Sequence, residues 1–342
     1  TVYVSRFEPS ALRLVGRARL VRGLNQRLSR EATHKTHATS RLLRAMAVAD
    51  LARRTRANLI HAHWPRPTEV ALLASVVADV PLGVSIHAHE VAHDAGHFPA
   101  VFERASFATF CNRAAMEHLI GRLGPAAHNR AHLIYHGVDL AHFETVPMPA
   151  MQGRLDIVTA GRLTPTKGID RLIRATAEAR RQGHDVTLTV IGDGGQRVFL
   201  EQLARDLEVA STVTFTGWIE HEAMRQVLAR GHVFALLADD RFHDGLPNVV
   251  LEAMALGRPA ILSPLPAARE VIEHAKNGFI LPKVDDTDEF VAICARLLDN
   301  PEELRALGHE ARCSVSARYE RGPLLDQLRA LFSSHGVAPV EV

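Results

Sequence analysis

Asp244 and Glu252 stand eight positions apart around a Gly245-Leu246-Pro247-Asn248 turn, a spacing suited to gripping a ligand rich in hydroxyls. The apolar run from Val233 to Leu237 reads as a buried strand. The run from Asn248 to Leu256 reads as a helix, stopped by Gly257 and Pro259. Asp244 therefore falls in the loop at the carboxyl end of a strand, and Glu252 lies inside the next helix. Asn248 and Glu252 are i, i+4 and share a helix face. The amides around residues 247–250, including those of Val249 and Val250, form a helix N-terminus, a natural seat for phosphate. One carboxylate before that terminus and one inside it can bracket a sugar nucleotide. An acidic helix start with a core-edge glutamate suits the same residues, and spacing alone does not separate the two readings.

Two further turns favour anions. Gly161-Arg162-Leu163-Thr164-Pro165-Thr166-Lys167-Gly168 leaves a strand and enters a helix. Arg162 and Lys167 there place fixed positive charge where the helix dipole is also positive. Gly192-Asp193-Gly194-Gly195 is a glycine-rich turn that lets a ligand approach the backbone, weak evidence when alone. Three such turns in successive strand-to-helix loops of one sheet are hard to ascribe to accident.

The elements that must position these residues follow a regular alternation. Strands are expected near 155–160, 186–191, 212–216, 233–237 and 260–263. Helices are expected near 168–182, 195–208, 221–230, 248–256 and 267–274, then near 286–299 and 301–317 without a strand between. Upstream, strands at 58–62, 83–88, 107–111 and 131–135 alternate with helices at 68–78, 98–104 and 114–123. Such alternation implies an α/β fold of two Rossmann-like domains with parallel sheets, facing across a cleft that receives ligands at the strand carboxyl ends. The expected domains are 1–149, including a basic helical segment at 1–57, and 150–320, with a C-terminal helix at 321–342 crossing back to the first domain.

The chain of 342 residues is long enough for two cores, and its 47% hydrophobic and 23% charged content is ordinary for a globular protein. No apolar run reaches transmembrane length, and no signal peptide is evident. Three cysteines without metal-ligand spacing point to a reducing, cytoplasmic compartment. Charge is uneven: residues 1–60 carry 13 Lys and Arg against three acids. Between Ser10 and Arg30 a helical projection groups Leu14, Val21, Leu24 and Leu28 on one face, with Arg19, Arg22 and Arg30 pointing away and Arg17 intruding. Such a helix can lie on an anionic membrane surface or pack on its own domain. Nucleic acid is not expected, because that basic region holds only Tyr3 and Phe7 as aromatics.

Taken together, these segments resemble the retaining nucleotide-sugar glycosyltransferases of family 4, which have the two-Rossmann GT-B architecture. The resembling stretches run from Ile60-His61-Ala62-His63 to Glu273. They include Ser85-Ile86-His87-Ala88-His89-Glu90, Tyr135-His136-Gly137-Val138-Asp139, the 161–168 and 191–194 turns, Thr216-Gly217-Trp218 and the 244–257 block. Arg269-Glu270-Val271-Ile272 and Gly278 close the series. The resemblance implies that Arg162 and Lys167 clamp the donor diphosphate, that Glu252 holds the ribose hydroxyls and that Asp244 lies near the transferred sugar. It implies amides near Val249 and Val250 on phosphate, Gly161, Gly192, Gly194 and Trp218 bordering the nucleotide, and His87 facing sugar and acceptor. The donor loop would span Gly245, Leu246, Pro247 and Asn248.

Two departures stand out. The first motif carboxylate is Asp244 where the family more often has Glu, one methylene longer. Residues 1–57 also show no opening strand, glycine-rich loop and helix, so the first β-loop-α unit is expected to be absent from the N-terminal domain.

The implied reaction moves a hexose from a nucleoside diphosphate sugar to a hydroxyl of a glycan or lipid-linked acceptor, with retention and with no metal or other cofactor. It belongs to cell-surface polysaccharide or glycolipid synthesis, on the inner face of the cytoplasmic membrane. Three rivals compete: a nucleotide-sugar-binding protein without transferase activity, a GT-B epimerase, and a metal-dependent hydrolase using His61-x-His63 and His87-x-His89.

Overall fold

The computed structural model describes residues 18–31, 37–93, 95–143, 146–239, 245 and 247–337. Contacts divide the chain into two units, residues 1–135 with 324–342, and residues 136–323. The division falls at Tyr135–His136, whereas the proline-marked linker suggested residue 149. The reason is local: Val138 N–H donates to Tyr319 O at 2.8 Å and Arg321 N–H donates to Val138 O at 3.0 Å, which ties residues 136–143 to the second unit.

The first unit opens with α1 (Ala18–Glu31) and α2 (Ala38–Arg54). Next come β1 (Ile60–His63), α3 (Pro65–Ala78), β2 (Leu82–Ile86), α4 (Ala88–His93), α5 (Phe98–Phe102), β3 (Phe107–Phe110), α6 (Arg113–Leu123) and β4 (Ala131–Leu133). The four strands form a parallel sheet in the order β1-β2-β3-β4. Among the described residues β1 pairs only with β2, so it is an edge strand. Among the described residues, the two helices α1 and α2 precede β1. In α1 the residues Val21, Leu24 and Leu28 are buried in the core, so its apolar stripe packs on its own domain.

A buried ionic network fixes these helices. Arg41 of α2 and Glu69 of α3 are each 1% exposed, and Arg41 Nη1 donates to Glu69 Oε2 at 2.7 Å. The same guanidinium donates to Asn25 Oδ1, Asn25 O and Ser29 Oγ on α1 at 2.8–2.9 Å. A buried ion pair is tolerated only when its remaining donors and acceptors are satisfied, and here one arginine serves three helices.

The second unit contains β5 (Leu155–Ala160), α7 (Ile169–Arg181), β6 (Val186–Ile191), α8 (Arg197–Asp206), β7 (Val213–Gly217), α9 (His221–Arg230), β8 (Val233–Leu236) and α10 (Asn248–Ala255). It continues with β9 (Ala260–Leu262), α11 (Ala268–Val271), β10 (Gly278–Ile280), α12 (Thr287–Asp299) and α13 (Pro301–Arg318); α14 (Arg321–Ser334) follows. Its six strands are parallel, in the order β10-β9-β8-β5-β6-β7. The expected alternation is present, and β10 is an addition: three residues at a sheet edge are too short to give a periodic signal. Strand order reverses at β5, which has β6 on one side and β8 on the other, making a topological switch point between β5 and β8. Among the described residues no helix is long and apolar enough to cross a membrane.

Candidate functional site: the strand-end loops of the second unit

The loops leaving β5, β6, β7 and β8 interlock through their backbones. Gly161 N–H donates to Ile191 O at 3.0 Å, Leu163 N–H to Asp193 O at 3.0 Å, and Gly192 N–H to Gly217 O at 3.0 Å. Asp239 N–H, just beyond β8, donates to Thr166 O at 2.9 Å. Such close approach requires glycine at two points. A Cβ on Gly192 would stand 2.0 Å from Gly161 O, and a Cβ on Gly168 would stand 1.9 Å from Leu237 O. Both glycines have positive φ, +128° and +63°, so an L side chain is excluded by conformation as well as by space. Gly194 packs against the backbone of Leu163 in the same way.

This interlock brings the loop carrying Arg162 and Lys167 to the carboxyl end of β5, on one flank of the switch point. Arg162 is exposed, and Lys167 lies half-buried at the end of a 3-10 turn, Pro165–Lys167. The other flank is the start of α10. Pro247 is its N-cap and has no side-chain group that could cap it, while Val250 and Leu251 are buried on its underside. Fixed cations on one loop and a helix N-terminus on another are chemistry that suits a polyanion.

Glu252 lies one turn into α10 and is 16% exposed; its Oε1 is 3.2 Å from His221 Nε2 at the start of α9. Trp218, at the exit of β7, is 75% exposed. Gly161, Gly192, Gly194, Trp218, Gly245, Pro247, Asn248, Val249, Val250 and Glu252 thus all lie in the loops or first turns that follow strands of one sheet. Asp244 and Leu246 lie outside the described residues.

Sequence reasoning missed three residues that hold this region together. Arg171, one turn into α7, donates to Leu237 O at 2.9 Å and to Asp239 Oδ2 at 3.1 Å, fixing the exit of β8 to the loop of β5. His221 engages the glutamate on a different helix. No spacing rule links these pairs, because their partners are 31 to 68 positions away. The triplet Asp286-Thr287-Asp288 has the Asp-x-Asp form of a cation holder, yet the Asp286 carboxylate accepts the Glu289 amide at 3.2 Å as the N-cap of α12.

In the first unit, His87 follows β2 and starts α4. Its N–H donates to the buried Glu90 carboxylate at 3.3 Å, half of a capping box. In the first His-x-His pair, His61 is tied into the sheet. His61 Nε2 lies 2.9 Å from Ser85 Oγ, which lies 2.9 Å from Thr109 Oγ1, a polar chain across β1, β2 and β3. Burial, and then the neighbouring His63, lower the His61 pKa to about 4, so the ring is neutral at pH 7.

Residues 148–313, most of the second unit, match the family described as glycosyl transferases group 1. The chain is 29% identical over 181 residues to an alpha-D-kanosaminyltransferase of Streptomyces kanamyceticus, covering 53% of this chain and 46% of that protein. It is 31% identical over 222 residues to a GDP-mannose-dependent alpha-(1-6)-phosphatidylinositol monomannoside mannosyltransferase of Mycolicibacterium smegmatis, covering 61% and 57%. The chain therefore spans about half the length of these curated relatives. Among solved structures, Anabaena Alr3699/HepE in complex with UDP superposes with a TM-score of 0.74 at 22% identity, covering 85% of this chain and 82% of that one. The two parallel-sheet units are those of the GT-B glycosyltransferase fold.

Proposed function

We propose that this protein is a retaining, metal-independent glycosyltransferase that moves a hexose from a nucleoside diphosphate sugar to a hydroxyl of a glycan or lipid-linked acceptor. The observation that carries this reading is the β5–β8 switch point, with Arg162 and Lys167 on the loop after β5, the N-terminus of α10 after β8 and Glu252 one turn deeper. The names of two relatives, a GDP-mannose-dependent mannosyltransferase and a kanosaminyltransferase, support glycosyl transfer, and the UDP complex of a third supports a nucleotide donor.

In the proposed reaction the bond between the anomeric carbon and the diphosphate oxygen breaks. The acceptor oxygen bonds to the same face, and its proton passes to the departing diphosphate. Arg162, Lys167 and the helix terminus oppose the negative charge where it grows, so they favour the transition state over the ground state. That placement supplies the neutralisation a divalent cation would otherwise give. Asp244 sits close to the transferred sugar in this reading, and His87 on the acceptor side.

We further propose a peripheral site on the cytoplasmic face of a membrane. The burial of Val21, Leu24 and Leu28 leaves Arg19, Arg22 and Arg30 exposed, so contact would be electrostatic, without insertion of α1. A thermal-shift screen over UDP-, GDP- and ADP-sugars tests the donor assignment. One class should stabilise the wild type and stabilise Lys167→Ala and Glu252→Ala much less. Equal responses from all three proteins would defeat the assignment.

A further inference from the structure

The carboxyl edge of the first sheet carries a group that the donor seat does not use. Trp64 follows β1 directly and precedes Pro65, the first residue of α3. Its backbone sits at φ 70°, ψ 152°. The ψ value is what the following proline demands, but the positive φ places the residue in a region kept almost wholly for glycine. Glycine would adopt this backbone without strain. The indole is nonetheless 52% exposed.

The ring is also mounted. It stacks on His87 with centroids 4.6 Å apart and planes 19° from parallel. His87 lies 6.0 Å from His63, and His63 stacks on His61 at 4.9 Å. His61 is anchored in turn by Ser85 and by the Phe107 and Phe332 rings. One face of the indole is thus covered by an imidazole that is itself supported, and the exposure belongs to the rest of the ring. Strain held at an exposed aromatic, on a rigid support, at the end of the sheet where ligands bind, marks a binding surface.

We propose that Trp64 is a stacking platform for a pyranose ring of the acceptor saccharide. The face of an aromatic ring carries negative quadrupole charge and attracts polarised C–H groups, which one face of a pyranose presents, while its hydroxyls project at the rim. A protein partner fits less well, because a single indole among imidazoles and the exposed Arg66 is too small and too polar for an apolar anchor patch. The term acceptor rests on the transferase reading given above; the carbohydrate site itself does not.

The chain has two tryptophans, Trp64 and Trp218. In Trp218→Phe, all indole emission comes from Trp64. Titration with methyl α-D-gluco-, galacto- and mannopyranoside should change that emission saturably for at least one sugar, with glycerol inert. No saturable change with any of the three overturns the platform. Trp64→Gly separates binding from folding: its Tm should equal or exceed that of the wild type, and any sugar-induced shift in Tm should vanish. A lower Tm would assign Trp64 to packing and overturn the proposal. Trp64→Phe, with Trp218 as the reporter, is titrated with UDP and GDP in parallel. Sugar silence beside a nucleotide response refutes the platform alone. Nucleotide silence beside a sugar response refutes the transferase reading and leaves the platform standing.

Discussion

The two sheets end in different chemistry. The loops of the second unit meet through glycine and backbone amides, with Arg162 and Lys167 above them; the loops of the first unit end in Trp64, His63 and His87. Whole-unit charge runs the opposite way. The first unit has 19 Lys and Arg against 11 Asp and Glu, and the second has 21 against 27. The proposed anion seat therefore lies on the acidic unit. Binding of a phosphate is decided within a few ångströms by amides and two cations, since charges farther off are screened by salt over about 10 Å. Net charge speaks to surface contacts, and local backbone geometry speaks to the site.

The comparison can be broken most severely in the first unit. Glu69→Ala leaves Arg41 buried without its carboxylate and should cost that unit about 3–5 kcal/mol. The loss is to be measured by denaturant unfolding followed at Trp64, while the Trp218 response to nucleotide persists. If nucleotide response is lost in step, the two units do not behave as separate sites.

A pH titration gives the next effect. The folded pKa of His61 is depressed to about 4 from 6.5, so its contribution is present above pH 6.5 and is lost as pH falls toward 4. The first unit should lose on the order of 3 kcal/mol across that window, the free-energy equivalent of the shift. His61→Asn should flatten the dependence; an unchanged profile in the variant would remove His61 as its source.

Gly192→Ala probes the second unit. Its Cβ would meet Gly161 O at 2.0 Å, so the loops of β5 and β6 must part. A cost of about 1–3 kcal/mol is expected in unfolding followed at Trp218, together with weaker nucleotide binding. The smallest effect is expected for His221→Ala. Losing one hydrogen bond to Glu252 should weaken nucleoside diphosphate binding by about fivefold, equivalent to about 1 kcal/mol, and His221→Gln should restore part of it. Calorimetry at pH 7.5 would read both.

Much of the second unit could be read in the sequence because its helices and strands are long and periodic, and its turns carry glycine beside fixed charge. Gly192 and Gly168 were legible as turns; their role as points of backbone contact was not, since it depends on residues 31 to 69 positions distant. Arg171 and His221 were hidden for the same reason. In the first unit, Trp64 passed unnoticed because only its backbone angle and its stacking on His87 distinguish it, and neither has a sequence signature. The Arg41–Glu69 pair was equally silent: 28 positions apart, its members lie on two different helices and no spacing rule joins them.

The central claim is that the strand-end loops of the second unit seat a diphosphate. It is tested most directly by comparing the affinity of UDP with uridine, and of GDP with guanosine, for the wild type and for Arg162→Ala/Lys167→Ala. The account expects one diphosphate to bind at least about 100-fold more tightly than its nucleoside, as charge-assisted hydrogen bonds of about 1.5–3 kcal/mol each would give. In the double variant that advantage should collapse to a few fold. An advantage that survives both substitutions would contradict the account, and so would its absence from the wild type for both bases.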